Sequence, residues 1–214
     1  MAMCNSECEI CHGDGLVEVD GAYAICPNHP GYFEGSGVDQ ADKDVPNLLP
    51  KSRNLSLMGN ALRDLRKAGY GMLWLQGDYG IGKTVLARAA TVEAVSEFKS
   101  ASYRRQLELV NWLRSSYSQD NGQAELMRRM QEVTEKRWLV IDEIGRVNQT
   151  DFSNEVMGEI IDARYRMALQ KQAMTVLISN DAPEKVMSAY LVDRVRDVKN
   201  KVLVVQGKSL RKGA

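Results

Sequence analysis

A glycine-rich segment at residues 77–84 has the residue types that bind the phosphates of a nucleotide. It matches the pattern G-x-x-x-x-G-K-T without a mismatch, and its residues are Gly77, Asp78, Tyr79, Gly80, Ile81, Gly82, Lys83 and Thr84. Glycines let backbone N–H groups turn towards phosphate oxygens, and the following helix adds the positive end of its dipole. In this pattern the lysine reaches the β- and γ-phosphates, and the threonine hydroxyl binds Mg²⁺. The segment therefore predicts a site for a nucleoside triphosphate and Mg²⁺, with Lys83 as a catalytic residue.

Two carboxylates, Asp142 and Glu143, follow a short apolar run and supply the second half of such a site. Carboxylates at the end of a buried strand lie at the sheet edge where ligands bind. We expect Asp142 to hold Mg²⁺ through its water shell and Glu143 to be the general base for an attacking water. Both histidines lie before residue 30, so the rest of the chain has no imidazole for this role. The pair favours hydrolysis, because small-molecule kinases need no water-activating carboxylate.

A second kind of chemistry is indicated near the N-terminus by Cys8, Cys11, Cys26 and His29. Two pairs of this spacing suit a closed, structural zinc site, and thirty residues cannot build a hydrophobic core without such a staple. Between the pairs, Asp20-Gly21 is flanked by two apolar-rich runs, which predicts a β-hairpin that brings the pairs together. Cys4 and His12 remain alternative ligands. A few reduced surface cysteines are the alternative to a zinc site.

Strands and helices must place these residues, and the sequence predicts them in alternation. Apolar runs predict buried strands, and apolar residues at helical spacing predict helices. The strands are at residues 72–76, 138–141 and 174–179, and the helices at residues 54–68, 84–98, 106–117, 121–136 and 152–169. This alternation predicts a three-layer α/β body with a parallel sheet. Asn180 follows the third strand, where it is either a site residue or ordinary turn punctuation.

The 214 residues have a formal net charge of zero, but the charges are segregated. Residues 1–50 have a net charge of −8, and residues 51–214 have +8. The longest apolar runs are too short to span a bilayer, and the N-terminus lacks the basic start of a signal peptide, so we expect a cytoplasmic protein with no membrane partner. We divide the chain into a zinc-binding module at residues 1–30, a solvated linker at 31–54 and an ATPase domain at 55–214.

The order of five segments resembles the DnaC/DnaI/IstB branch of the AAA+ ATPases, and these segments are residues 140–145, 160–166, 177–180, 192–196 and 207–211. The resemblance implies a P-loop AAA+ core with a parallel five-stranded sheet, no separate C-terminal lid domain, and ATP as the nucleotide. By the same resemblance, Asn180 is the sensor 1 residue that orients the attacking water. Arg194 matches the arginine finger that enters a neighbouring subunit's site, and Arg211 matches the sensor 2 arginine that contacts the nucleotide's phosphates. Leu210 departs from the family, which usually has an aromatic residue there.

The function implied by the resemblance is that of an ATP-dependent loader of a replicative DNA helicase. Such a protein would oligomerise through the arginine finger, hold single-stranded DNA in a basic groove and dock on the helicase through its N-terminal module. Tyr103, Arg104 and Arg105, together with Arg128 and Arg129, are candidates for that groove, with helix-surface charge as the alternative. Two other functions remain open: an IstB-type transposition helper that acts with a transposase on duplex DNA, and a nucleotide-gated zinc adaptor without a DNA role.

Overall fold

The computed structural model describes residues 8–19, 21–29, 31–97, 99–146 and 150–210 of the chain. Its first element is a hairpin of two antiparallel strands, β1 (Leu16–Val19) and β2 (Ala22–Ile25). Gly21 follows β1 with a φ of +80°, in the left-handed region that this tight turn requires. The predicted hairpin is therefore confirmed.

Five parallel strands form the sheet of the body. They are β3 (Gly71–Gly77), β4 (Ala101–Arg105), β5 (Trp138–Ile144), β6 (Met174–Ser179) and β7 (Lys201–Val205), in the spatial order β4-β5-β6-β3-β7. The predicted parallel five-stranded sheet is confirmed. The apolar runs of the sequence identified its three central strands. The edge strand β4 is more polar, and the other edge strand, β7, was missed although four of its five residues are apolar. Because β6 lies between β3 and β5, the carboxyl ends of these three strands are neighbours.

Helices cover both faces of this sheet. They are α1 (Arg53–Ala68), α2 (Lys83–Ser96), α3 (Gln106–Arg114), α4 (Gly122–Thr134), α5 (Asp151–Leu169), α6 (Pro183–Val186) and α7 (Ala189–Val195), and 3₁₀ turns occur at Gln40–Lys43, Val45–Leu48 and Ser115–Ser118. Leu75 and Val140 point to the face covered by α1 and α2, while Trp74 and Leu139 point to the face covered by α3 and α5. The three-layer arrangement is therefore confirmed. Among the helices of the described residues, none is long and apolar enough to cross a membrane.

The helix predicted at residues 106–117 ends earlier in the structure. α3 stops at Arg114, and the backbone continues as the 3₁₀ turn Ser115–Ser118. The hydroxyl of Ser115 donates to the carbonyl of Trp112 at 2.9 Å. Serine favours helix ends because its hydroxyl competes for backbone groups in this way.

The prediction of a solvated linker at residues 31–54 is wrong, because much of this segment packs against the body. The Tyr32 hydroxyl donates to the Val95 carbonyl on α2 at 2.6 Å, and Val38 is buried in the core beneath that helix. The carboxylate of Asp42 accepts two hydrogen bonds of 2.7 Å from the Arg88 guanidinium. From residue 53 the segment continues directly into α1.

Glycine composition made this segment resemble a linker, and one of those glycines instead permits close packing. Gly37 has a φ of +75°, and a Cβ built there would lie 2.1 Å from the carbonyl oxygen of Tyr103. The neighbouring carbonyl of Ser36 accepts a 2.7 Å hydrogen bond from the Tyr103 N–H on β4. The segment therefore covers part of the exposed edge of the sheet, which removes an unpaired backbone donor.

Arg164, within one of the segments that carry the family resemblance, is fully buried on α5. Its guanidinium donates to the carbonyls of Thr134, Lys136 and Met174 and to the hydroxyl of Thr175. Burial lowers the pKa of Arg164 to about 9. This arginine joins the end of α4 to β6. We therefore interpret Arg164 as a residue that stabilises the fold.

Candidate functional site

The phosphate-binding segment lies between the end of β3 and the start of α2, as predicted. Gly80 and Gly82 have φ angles of +75° and +97°, which favour glycine. A Cβ at Gly80 would lie 2.3 Å from the Ser209 hydroxyl, and one at Gly82 would lie 2.6 Å from Leu55 Cδ2. The glycines therefore leave a tight backbone cradle at a helix N-terminus, where N–H groups and the helix dipole favour an anion.

Lys83 is buried at the base of this cradle. Its ammonium donates to the carbonyls of Gly77 at 2.6 Å and Asp78 at 2.8 Å, and to Asn180 Oδ1 at 2.8 Å. Burial lowers the pKa of Lys83, and the nearby carboxylates of Asp142 and Asp78 only partly offset this effect. An anion bound next to Lys83 would stabilise the charged form of this buried ammonium.

Asn180 follows β6 between the other two strand ends, so the structure brings it to the predicted site. Its side-chain oxygen contacts Lys83, and both residues line one cavity. The turn after β6 is held independently, because the Asp181 N–H donates to the Ser179 hydroxyl at 3.1 Å. The side chain of Asn180 therefore lies in the cavity beside Lys83, where the prediction of a site residue requires it.

Asp142 is buried and accepts hydrogen bonds on both oxygens of its carboxylate. Oδ2 accepts from the Thr84 hydroxyl at 2.6 Å and from the Tyr103 hydroxyl at 2.7 Å. Oδ1 accepts from the N–H of Glu143 at 2.7 Å. A carboxylate next to a threonine hydroxyl supplies the hard oxygen ligands that Mg²⁺ prefers. The predicted metal pair, Thr84 and Asp142, is therefore in direct contact.

Glu143 has an unusual backbone for a non-glycine residue, with a φ of +60°. The pairing of β5 with β6 shifts register at this point, between Ile141 and Ile144. Left-handed backbone at a bulky residue is strained, and such strain concentrates at functional sites. Here the strained residue Glu143 lines the cavity beside Asp142.

Arg146 is a site residue that the sequence analysis missed. It donates to Glu143 Oε1 at 2.6 Å, and its guanidinium lies 4.9 Å from the ring centroid of Tyr79. The contact with Tyr79 and the charge of Glu143 raise the pKa of Arg146. The arginine therefore connects the phosphate loop to the predicted general base across the mouth of the site. Its spacing of three residues from Glu143 is the only sequence signal that could have indicated this pair.

A cavity of about 310 Å³ joins these groups, a size at the lower end of ligand pockets. Residues 79–84, Asp142, Glu143 and Asn180 all line it. Leu49 and Leu210 add apolar surface. Leu49 lies in the segment interpreted as a linker, and an apolar residue there was the available signal that the segment packs against the body.

The two predicted arginines have different outcomes. Arg211 lies outside the described residues; the preceding Leu210 donates its N–H to the Gly80 carbonyl at 2.9 Å. Arg194 lies on α7 and is not among the residues that line the cavity. Its guanidinium lies 4.2 Å from the ring centroid of Tyr190 and 3.4 Å from Asp162 Oδ1. The structure therefore does not bring Arg194 to the nucleotide site of its own chain.

Two of the five candidates for a DNA groove are structural residues, which corrects the prediction for them. Tyr103 is buried with its hydroxyl on Asp142. Arg129 is also buried, pairs with Glu125 at 2.6 Å, and stacks 5.1 Å from the ring centroid of Trp112. Neither side chain can reach a nucleic acid, because both are buried and their polar atoms already bond to other residues of the body.

The remaining groove candidates lie nearer the surface. The guanidinium of Arg104 lies 5.4 Å from the Trp112 ring centroid. Arg105 and Arg128 are each about half exposed. Arg105 pairs only with Glu108 at 3.5 Å, an exposed pair that is weak and salt-dependent, so it remains available to an outside anion. Arg128 is held more firmly, by a bidentate pair with Glu125 and a bond to Glu132.

Three cysteines form a cluster beside the hairpin. The sulfur atoms of Cys8, Cys11 and Cys26 lie within 4.8 Å of one another, and those of Cys8 and Cys26 are 3.7 Å apart. Thiolates bound ~2.3 Å from a tetrahedral zinc ion lie about 3.8 Å from each other. Backbone hydrogen bonds from Cys11 and Ile10 lower the pKa of the Cys8 thiol to about 6, which favours the thiolate that binds metal. The donor set therefore fits zinc.

His29, the predicted fourth ligand, is not part of this cluster of described residues. Its Nδ1 accepts a 2.9 Å hydrogen bond from the N–H of Gly31. A neutral imidazole has one nitrogen lone pair, and this bond occupies it. Cys4, the alternative ligand, lies outside the described residues. The structure thus gathers three of the four predicted ligands.

Comparison with known protein families matches residues 69–213 to the family described as IstB-like ATP binding protein. This match includes the strands β3, β5 and β6 and the loops that follow them at the nucleotide cavity. A sequence comparison with curated proteins gives no match.

Solved structures with the same fold include DNA replication proteins. The AMPPCP-bound DnaA from Aquifex aeolicus aligns with a TM-score of 0.62 and 17% identity, over 75% of this chain and 49% of that chain. The DnaC helicase loader aligns with a TM-score of 0.57 and 18% identity, over 82% of this chain and 99% of that chain. DnaI aligns with a TM-score of 0.56 and 18% identity, over 84% of this chain and 92% of that chain. The chain spans about half the length of two DnaA structures, the AMPPCP-bound one and the one bound to AMPPCP and single-stranded DNA. At these identities the likeness shows a shared AAA+ fold.

Proposed function

The chain belongs to the IstB-like ATP binding protein family, and we propose that within this family it acts as an ATP-dependent loader of a replicative DNA helicase. Its body is an AAA+ ATPase of the DnaC/DnaI/IstB type. One observation carries the loader proposal: a nucleotide cavity lined by Lys83, Asp142 and Glu143 occurs in the same chain as an acidic, cysteine-bearing module with an exposed apolar face. Likeness to a helicase loader over nearly that protein's whole length supports it.

In the proposed reaction, residues 77–84 hold the phosphates of ATP and Lys83 contacts the β- and γ-phosphates. Mg²⁺, held by Thr84 and through water by Asp142, would neutralise phosphate charge. Glu143 accepts a proton from the attacking water as its oxygen bonds to the γ-phosphorus and the bond to the ADP oxygen breaks. Asn180 orients that water. Residues 55–214 form the proposed ATPase domain.

The substitution Lys83→Ala is expected to weaken ATP binding by about 100-fold, because it removes charge-assisted hydrogen bonds to two phosphates. Titration with a fluorescent ATP analogue measures this loss. Lys185→Ala is the matched control, since Lys185 is exposed beyond the site. Affinity within threefold of the wild type would contradict the assignment of Lys83.

We propose that Cys8, Cys11 and Cys26 bind a structural zinc ion and that His29 supplies the fourth ligand after its bond to Gly31 breaks. The purified protein is expected to retain about one zinc per chain. Cys26→Ser should release it, as measured by a colorimetric chelator. ATP affinity should stay unchanged, because the module forms no part of the nucleotide cavity.

Further variants identify the fourth ligand. If His29 is the ligand, His29→Asn weakens zinc retention and Cys4→Ser does not; the reverse result assigns Cys4. A wild-type protein that retains no zinc when purified without chelators would contradict the proposed site.

The hairpin offers a surface for a protein partner. Its register places Leu16 opposite Ile25 and Glu18 opposite Tyr23, and Leu16, Tyr23 and Ile25 are about half exposed or more. Val17, on the other face, packs against the cysteines. No lysine or arginine occurs before residue 43. This acidic-rimmed apolar face is suited to a partner with an apolar site surrounded by basic residues, and unsuited to DNA.

Capture of purified replicative helicase by the immobilised protein tests the loader proposal. We expect the wild type to bind and the double variant Leu16→Ser, Tyr23→Ser to lose most of the capture while retaining zinc. Tyr117→Ser is the control, because Tyr117 is similarly exposed on the body. Undiminished capture by the double variant would exclude this face, and failure of the wild type to bind any replicative helicase would contradict the loader role.

The family match itself favours a second candidate, a transposition helper that acts with a transposase on duplex DNA. Capture of a transposase in place of the helicase would identify it. A loader is expected to bind single-stranded DNA through its basic body as an oligomer, and a helper to prefer duplex DNA. ATP turnover that is indifferent to either DNA would instead indicate a zinc adaptor gated by nucleotide.

A further inference from the structure

Tyr103 occupies a position that the proposed reaction does not explain. It lies on the edge strand β4, is only 3% exposed, and directs its hydroxyl to Asp142 Oδ2 at 2.7 Å. The same oxygen accepts the Thr84 hydroxyl at 2.6 Å. The carboxylate is therefore held between two hydroxyl groups, one from the phosphate-loop helix α2 and one from β4.

The phenol is the donor in this contact, because an ionised carboxylate oxygen only accepts hydrogen bonds. A buried carboxylate with fixed donors has a fixed orientation, which preorganises a metal site.

Residues that follow the cysteine module hold Tyr103 from the outside. The Ser36 carbonyl accepts the Tyr103 N–H, and Gly37 lies so close to the Tyr103 carbonyl that only glycine fits. The guanidinium of Arg88 lies 5.1 Å from the centroid of the tyrosine ring. Arg88 in turn forms a bidentate pair with Asp42.

We infer that Tyr103 is a positioning residue for the Mg²⁺-binding carboxylate of Asp142, and that residues 36–42 keep it in place. The inference rests on the proposed ATP and Mg²⁺ site. It connects the segment after the cysteine module to the metal end of the nucleotide site through three successive contacts: Asp42 with Arg88, Arg88 with Tyr103, and Tyr103 with Asp142.

The decisive variant is Tyr103→Phe, which keeps the ring and removes the hydroxyl. A fluorescent ATP analogue is titrated with MgCl₂, and its affinity in magnesium-free buffer without chelator is measured separately. We expect the Mg²⁺ concentration that gives half of the gain in ATP affinity to rise about tenfold, because Asp142 loses one of the donors that orient it. Affinity in magnesium-free buffer should stay unchanged, since the phosphate cradle is intact. Tyr117→Phe, at an exposed tyrosine on the body, should change neither quantity.

The role of the segment is tested by Asp42→Asn, which weakens the pair with Arg88. It should raise the Mg²⁺ midpoint about threefold, whereas Asp44→Asn, the same charge change at an exposed neighbouring residue, should leave it unchanged. Circular dichroism in magnesium-free buffer without chelator confirms that each variant is folded before titration.

Each outcome separates the proposals. A midpoint that stays the same or falls in Tyr103→Phe would overturn the positioning role, and a fall would mean that the phenol competes with the metal. A raised midpoint in Tyr103→Phe with no change in Asp42→Asn would overturn the part played by residues 36–42. If Mg²⁺ does not tighten ATP binding even in the wild type, the proposed ATP and Mg²⁺ site itself fails.

Discussion

The variant Glu143→Gln is expected to lower ATP turnover by roughly 1000-fold while it continues to bind ATP and Mg²⁺. Glutamine keeps the size and polarity of the side chain, but it cannot accept a proton from the attacking water. Glu143 lines the nucleotide cavity, whereas the oxygens proposed to bind the metal belong to Asp142 and Thr84. Loss of turnover without loss of binding would therefore isolate the proton transfer.

Phosphate release under saturating ATP measures the turnover, and titration with a fluorescent ATP analogue measures the binding. Glu155→Gln is a matched control, because Glu155 is an exposed glutamate on α5 outside the cavity. Near-normal hydrolysis by Glu143→Gln would show that another group activates the water. Arg146→Ala would then be informative, since Arg146 is the one residue seen to bond the Glu143 carboxylate among the described residues.

The variant Arg194→Ala is expected to bind ATP normally but to lose about 1000-fold of its oligomer-dependent hydrolysis, the effect of removing an arginine finger. Arg194 is held on α7 by Asp162 and the ring of Tyr190, away from the cavity of its own chain. A guanidinium placed there can stabilise phosphate charge only in a neighbouring subunit. Arg196→Ala is the control, because Arg196 is an exposed arginine on the same turn, paired with Glu184.

A mixture of two inactive variants tests whether the finger acts in trans. Subunits with Lys83→Ala carry an intact Arg194, and subunits with Arg194→Ala carry an intact nucleotide site. Mixed oligomers should therefore regain part of the hydrolysis that neither variant has alone. If the mixture stays inactive although the subunits assemble, the role in trans is wrong. If Arg194→Ala alone hydrolyses ATP normally as an oligomer, Arg194 has no role in the reaction.

Local sequence patterns were sufficient for much of the ATP site. The glycine positions and Lys83-Thr84 lie in one continuous segment, and their roles depend on the adjoining strand and helix. Asp142 and Asn180 each follow a buried apolar run, so parallel-sheet geometry alone places them at one edge. The same reasoning failed for residues 31–54, where glycines and aspartates indicated a linker. Asp42 and Gly37 instead make specific contacts with Arg88 and Tyr103, which lie far along the chain.

The structure of the cysteine module could be predicted from the sequence only in part. The spacing of the cysteines and the Asp20-Gly21 pair predicted the hairpin and the approach of three thiols, because a tight turn brings its own flanks together. Spacing could not decide whether the His29 imidazole joins them, since a ring rotation and one hydrogen bond to Gly31 determine that. In the same way, the basic pairs at residues 104–105 and 128–129 are alike in sequence, and only packing distinguishes buried Arg129 from exposed Arg128.

The sequence by itself thus determined the fold class, the phosphate loop, the contact between Thr84 and Asp142, and the three-cysteine cluster, because each depends on residues close together in the chain or on strand order. The tertiary structure alone decided what surrounds those groups. It placed Tyr103 against Asp142, Arg146 against Glu143, and Arg194 away from its own cavity. Contacts between distant segments depend on how helices and sheet edges pack, and no local pattern encodes that packing.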